Sequence, residues 1–238
     1  MKGTVLALAF FASVGLLPAQ SFIFGPKLGP TLGVQTWNGI DRQPLVAYHA
    51  ALYLESYNPD RNGSFFGQLG YHLRGSSQNV TFFNVGGNPT GRSRPTFEFR
   101  NVAATIGAKR RIDTFGDSKP YYSFAMRVEY TLGTNLDQYN NAQFATYFPV
   151  DPFVNKFNYG ATVAFGYEFP FSELVGGFVE ANISPDLSRQ YEQPTIPNVL
   201  DPFTGNSISL REQTIRNITF EVSVGLRFLR KVIYLEDY

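Results

Sequence analysis

The sequence holds two histidines, His49 and His72, and the turn-forming run from Tyr57 to Gly63 would bring them close to opposition on neighbouring strands. A pair of imidazoles can hold zinc or copper, but a third ligand is needed, and the nearby Glu55 and Gln68 are weak donors for either metal. A hydrogen-bonded pair is expected, with no metal and no cofactor. Nucleophilic catalysis finds no better footing. There is no cysteine, and a serine nucleophile would need a histidine beside it, whereas both histidines fall inside proposed strands. Asp186, Asp201 and Glu212 lie in long connections where carboxylates are usually solvated, and no spacing pairs them for acid and base work. The chain therefore reads as non-enzymatic.

The other charges follow an alternation. Tyr122, Phe124, Met126, Val128, Tyr130 and Leu132 share one parity, and Ser123, Ala125, Arg127, Glu129 and Thr131 the other. The pattern returns from Asn217 to Leu229 and again from Phe157 to Phe169. Such strands have two faces that meet different surroundings. Long strands with aromatic residues outside and small or charged ones inside are the pattern of a transmembrane barrel. The inward parity is assigned to Glu55, Arg74, Glu98, Arg100, Arg127, Glu129, Glu168, Glu180, Glu221 and Arg227, together with both histidines. An eight-stranded barrel is only wide enough for its side chains to fill. Charges of both signs there imply a paired network plugging the bore, because an unpaired buried charge is costly. Arg100 is expected opposite Thr131 and diagonal to Glu129, within reach of long side chains.

Alternation and turn residues place strands at about 22 to 37, 44 to 56, 64 to 74, 96 to 109, 120 to 134, 157 to 169, 173 to 184 and 214 to 230. That is an all-β, eight-stranded antiparallel up-and-down barrel. Two strands look imperfect. Gly25, Pro26, Gly29, Pro30 and Gly33 should make the first irregular. In the fourth, Phe97 and Phe99 share the parity of Asn101, Ala103 and Thr105, so a bulge near Arg100 or Asn101 is expected to switch the facing. The connections 75 to 95, 135 to 156 and 185 to 213 are long, and those around 57 to 63, 115 to 117 and 170 to 172 are short. Short periplasmic turns alternating with long outer loops characterise outer-membrane barrels.

Composition is consistent with this. Aromatic and charged residues each make up 16% of the 238-residue chain, and a net charge of +1 gives no electrostatic case for nucleic acid. Of the lysines, only Lys27 falls within a proposed strand rather than near a strand end or in the leader, whereas a soluble barrel would scatter lysine along its wet faces. Lys2 followed by the apolar run Thr4 to Leu17 and Ala19 has the layout of a secretory signal peptide, which gives a leader at 1–19 and a barrel domain at 20–238. No later apolar run approaches the roughly 20 residues of a membrane helix, so any span must be a closed barrel.

One long connection is crowded with Phe144, Tyr147, Phe148, Phe153 and Phe157, and another carries Phe203 in Leu200-Asp201-Pro202-Phe203, an echo of Val150-Asp151-Pro152-Phe153. Aromatic residues there serve either as an interfacial girdle or as a docking surface. Asp-Pro favours turn initiation, so the echo reads as reused turn chemistry, with a shared docking element as the other reading.

The segments Phe24-Gly25-Pro26-Lys27-Leu28-Gly29, Tyr48-His49-Ala50-Ala51-Leu52-Tyr53-Leu54-Glu55, Phe66-Gly67-Gln68-Leu69-Gly70-Tyr71 and Phe220-Glu221-Val222-Ser223-Val224-Gly225-Leu226-Arg227-Phe228 resemble successive strands of the Bacteroidota outer-membrane β-barrel domain, the PorT-like family. The likeness spans nearly the whole mature chain. It implies an outer-membrane location, contact with lipid, and a role as an accessory or scaffold subunit of an envelope complex, with type IX secretion and gliding-related export as the setting of the family's name-giving member. Residues 231 to 238 extend past the family's usual closing strand. Two other readings stand beside this one. One is a narrow channel for small solutes or ions, and the other a soluble ligand-binding barrel with its apolar face inside.

Overall fold

The structure, a computed structural model, describes residues 21–38, 42–139, 148–201 and 204–232. The leader assigned to 1–19 lies outside them, as do Phe144, Tyr147 and Phe203. In chain order the strands are β1 Ser21–Trp37, β2 Gln43–Tyr57, β3 Gly63–Ser77, β4 Val80–Phe83, β5 Pro89–Ser93, β6 Thr96–Arg111, β7 Lys119–Thr134, β8 Phe157–Pro170, β9 Val175–Pro185, β10 Tyr191–Gln193, β11 Ile196–Leu200, β12 Ser207–Leu210 and β13 Gln213–Arg230. Eight of them pair in the order β1-β2-β3-β6-β7-β8-β9-β13, and β1 pairs antiparallel with β13. That last pairing closes the sheet and leaves the barrel with no edge.

These eight strands are the ones the alternation marks, with ends displaced by three residues at most. The other five are short. β4 and β5 form a hairpin on the connection after β3, β11 and β12 form one before β13, and β10 adds to the far end of β13.

The two faces are as different as the alternation requires. On β7, Val128 is 55% exposed on the outside while its neighbours Arg127 and Glu129 are 2% and 1% exposed within. Phe124, Met126 and Leu132 of β7, Phe165 of β8 and Val222 of β13 extend the apolar exterior around the barrel. This is the reverse of a soluble ligand-binding barrel, whose apolar face is inside. In water such an exterior would aggregate; in a bilayer it is the solvated face. Val128→Arg is therefore expected to cost about 2–4 kcal/mol, the penalty for a cation on the lipid face near the bilayer midplane. Equilibrium unfolding in lipid vesicles measures it, and an unchanged midpoint would mean that this face is wet.

The first strand is more regular than its glycines and prolines suggest. β1 pairs with β2 in one unbroken register from Ser21↔Tyr57 to Gly33↔Leu45. Its register with β13 is also constant, although the pairing passes over Gly25–Pro26 and Gly29–Pro30. Proline has no N–H to give to a ladder. Pro26 and Pro30 face outward, and the glycines beside them let the two backbones close. A Cβ on Gly29 would come within 2.9 Å of the Val222 carbonyl carbon.

The expected bulge lies where β6 and β7 pair, and the extra residue is on the partner strand. Arg100 pairs with Gly133 and Asn101 with Thr131, so Leu132 is the residue passed over. β6 itself never switches facing: Phe97, Phe99, Asn101, Ala103, Thr105, Lys109 and Arg111 are all buried inside. Phe97 and Phe99 keep the inward parity because an apolar cap, and not lipid, receives them.

Candidate functional site

The bore is filled by side chains of the eight strands together with Asp186, the residue after β9. Lys27, Arg74, Lys109, Arg111, Arg127 and Arg227 face Glu55, Glu129, Glu168, Glu180, Asp186 and Glu221, six cations against six carboxylates. Balance of this kind is what a low-dielectric interior demands.

At the end where the short turns lie, Glu55 accepts from Ser64 Oγ at 2.6 Å and Lys109 Nζ at 3.0 Å, and also pairs with Arg111. Glu168 pairs with Lys109, with Arg111 Nε at 2.8 Å and with Arg227 Nη1 at 3.4 Å. Lys109 also sits 4.0 Å over the Tyr121 ring, and Tyr121 donates its hydroxyl to Glu180 at 2.9 Å. One step further in, Lys27 donates to Glu180 at 2.7 Å.

The histidines occupy the middle of the bore. His49 and His72 are directly paired across β2 and β3, and their rings stack with centroids 5.5 Å apart and planes 8° from parallel. His49 is held by Thr31 Oγ1 at 2.9 Å and Ser223 Oγ at 2.8 Å. His72 Nδ1 lies 2.7 Å from Glu221, which also accepts from Asn182 at 3.1 Å. The rings are thus stacked face to face and tied to hydroxyls and a carboxylate, while Glu55 is committed to its own cations.

Towards the outer end, Arg74 Nη2 and Arg127 Nε both lie 2.8 Å from Glu129 Oε1. Arg74 also donates to Thr219 at 2.8 Å, Arg127 pairs with Asp186, and Asn101 donates to Glu129 Oε2 at 3.1 Å. Above this cluster an apolar cap closes the mouth. Trp37, Phe97, Phe99, Leu136, Tyr191 and Ile215 are buried together, with Tyr139, Phe148, Phe153 and Val154 packed on them. Arg42 stacks 3.5 Å over Trp37 and 4.4 Å over Phe97, and burial lowers its guanidinium to about 10, so it stays charged at neutral pH. Burial likewise pushes the Tyr191 hydroxyl up to about 12, and it donates to Gln193 at 2.8 Å.

Of the charges assigned to the bore, Glu55, Arg74, Arg127, Glu129, Glu168, Glu180 and Glu221 are buried inside, and Arg227 is half-buried at the turn end. Glu98 and Arg100 are not among them. They carry the outward parity of β6; Arg100 is exposed, and Glu98 is half-buried at the rim, where it accepts from Thr96 at 3.2 Å. Asn101 takes the place expected of Arg100, opposite Thr131. Four charges were missed: Lys27, Lys109, Arg111 and Asp186. Parity marks the first three, since Lys27 aligns with Thr31 and Gln35, and Lys109 and Arg111 with Asn101 and Thr105. Asp186 carries the same mark, continuing the parity of Glu180, Asn182 and Ser184. It lies just past β9, in a segment that folds back into the mouth through Gly160↔Asp186 and Tyr191↔Ile215, so it is buried and not the solvated loop acid expected. Asp201 is buried as well.

Among the described aromatic residues of the loop, Phe148 and Phe153 face the cap, and Phe157 lies outside against Tyr130 with ring centroids 4.9 Å apart. Described cavities at mid-bore are about 30 Å³ each, room for single waters.

A closed eight-stranded sheet with an apolar outside and a charged, filled inside is an outer-membrane β-barrel. No family model matches the chain, and no curated protein matches it. Among solved structures, Neisserial surface protein A superimposes with a TM-score of 0.50 at 11% identity, over 87% of this chain and 96% of that one. The outer membrane protein OprG from Pseudomonas aeruginosa gives 0.47 at 9% identity, over 88% and 96%. Ail, the attachment invasion locus protein of Yersinia pestis, in complex with the heparin analogue sucrose octasulfate, gives 0.41 at 11% identity, over 87% and 99%. The first of these shows the same fold.

Proposed function

We propose that the chain is a non-enzymatic accessory or scaffold barrel that engages another envelope protein through its outer loops, 135–156 and 185–213. The PorT-like resemblance makes a secretion or gliding complex the setting, with residues 1–19 as the cleaved leader and 20–238 as the barrel domain. The observation that carries this reading is the filled bore. With six ion-paired cations and six carboxylates inside and an apolar cap above, the surfaces left to work are the lipid belt and the loops. Leu187 and Leu200, 53% and 68% exposed, lie on the second of those loops.

Mild-detergent extraction of the tagged protein from outer membranes, followed by native sizing, tests the proposal. The expected result is a complex larger than the lone barrel, lost when the β11–β12 hairpin is replaced by a short Gly-Ser linker and kept in the Glu98→Gln rim variant. Release of the wild type as a lone barrel contradicts it.

A further inference from the structure

At the end opposite the cap, a recess of about 480 Å³ opens between the short turns, a size typical of ligand sites. Its floor is Arg111, Glu168 and Arg227, its rim carries Arg61 and Lys119, and Tyr57, Phe171 and Leu174 supply apolar wall. Among the described residues, the charge cluster under this floor is one anion short. Lys109, Arg111 and Arg227 share only Glu55 and Glu168, whereas Arg74 and Arg127 at the other end are matched by Glu129 and Asp186, and Lys27 by Glu180. The compensating carboxylate, Glu221, sits at mid-bore against His72.

The surplus falls on Arg227. Its carboxylate partner is 3.4 Å away, against 2.8 Å for Arg111 Nε to the same Glu168, and its side chain is 18% exposed, the most open of the floor cations. The two acids on the rim, Asp117 and Glu173, do not fill the gap: Glu173 is held by Lys231 at 3.1 Å, and Asp117 makes no ion pair with Arg227. A partly desolvated guanidinium short of a carboxylate favours a ligand that brings one.

We propose that this recess binds a carboxylate-bearing, partly apolar segment of a periplasmic polypeptide, with Arg227 receiving the carboxylate. A peptide fits better than a compact phosphate, because Arg61, Lys119 and Arg227 come from three separate parts of the rim and floor and are interleaved with Tyr57, Phe171 and Leu174. The assignment depends on the outer-membrane orientation, in which short turns face the periplasm. It concerns the face opposite the outer loops, so it stands or falls separately from their partner.

The test is fluorescence anisotropy on the full chain in detergent micelles. The probe is a fluorescein-labelled peptide alternating leucine and glutamate, beside the same peptide with glutamine. The glutamate peptide is expected to bind about tenfold or more tighter, a margin that Arg227→Gln removes and Arg227→Lys largely keeps. Should Arg227→Gln fail to fold, the rim variant Arg61→Gln/Lys119→Gln decides, with a several-fold loss expected. Replacing the β11–β12 hairpin should leave binding unchanged. Equal binding of the two peptides, a folded Arg227→Gln or rim variant that binds as wild type does, or displacement by inorganic phosphate at the peptide's own concentration overturns the proposal.

Discussion

Replacing Arg74 by glutamine is expected to lower the unfolding free energy by about 3–5 kcal/mol, the cost of breaking a buried ion pair from one side. Arg74 is fully buried and holds Glu129 at 2.8 Å and Thr219 at 2.8 Å, with Asp186 at 3.5 Å. Without it, Arg127 alone faces two carboxylates. The double variant Arg74→Gln/Glu129→Gln restores the balance of one cation and one carboxylate, so its loss should be smaller than that of Arg74→Gln alone. Equilibrium denaturation in vesicles reads both. Additive losses in the double variant would mean that these residues are solvated individually and do not form a network.

Phe97→Ala should be about as costly, roughly 3–5 kcal/mol, because a buried phenyl ring is removed from a packed cluster. Its ring lies 5.1 Å from Tyr139, 5.5 Å from Phe148 and 5.6 Å from Trp37, and Arg42 stacks on its face. Tyr139 and Phe148 belong to the connection between β7 and β8, so the cap is what ties that loop to the barrel mouth. Faster limited proteolysis within 135–156 is therefore expected alongside the loss of stability, and Phe97→Leu should show a fraction of both effects. A stable Phe97→Ala variant with an unaltered cleavage pattern would place this side chain outside the cap.

The barrel was legible because its strands are long and their period of two survives almost unbroken. Closure, strand order and the opposition of His49 to His72 all follow from short turns between alternating runs. Legibility failed where a residue's surroundings were not those its strand supplies. Phe97 and Phe99 looked like lipid-facing residues because aromatic side chains usually mark that face; they are buried under loops whose return into the mouth has no signature in local sequence. Asp186, a partner of Arg127, continues the inward parity of Glu180, Asn182 and Ser184 but lies two residues past the proposed end of its strand. Lys109 stands at the proposed end of its strand and Arg111 just past it, while Lys27 lies within the first strand without an assignment to the bore; the parity of all three points inward. Gly25–Pro26 and Gly29–Pro30 suggested disorder in the ladder, yet the pairing of β1 with β2 carries the register past them.

The measurement closest to the central claim is conductance of the purified protein in planar lipid bilayers. A bore filled by paired charges and closed by the Trp37–Phe97–Tyr191 cap should give no discrete steps above the baseline at moderate voltage in the wild type. Regular open steps from the wild-type barrel, with the folded state verified in the same preparation, would show a continuous wet path through the bore and contradict the account.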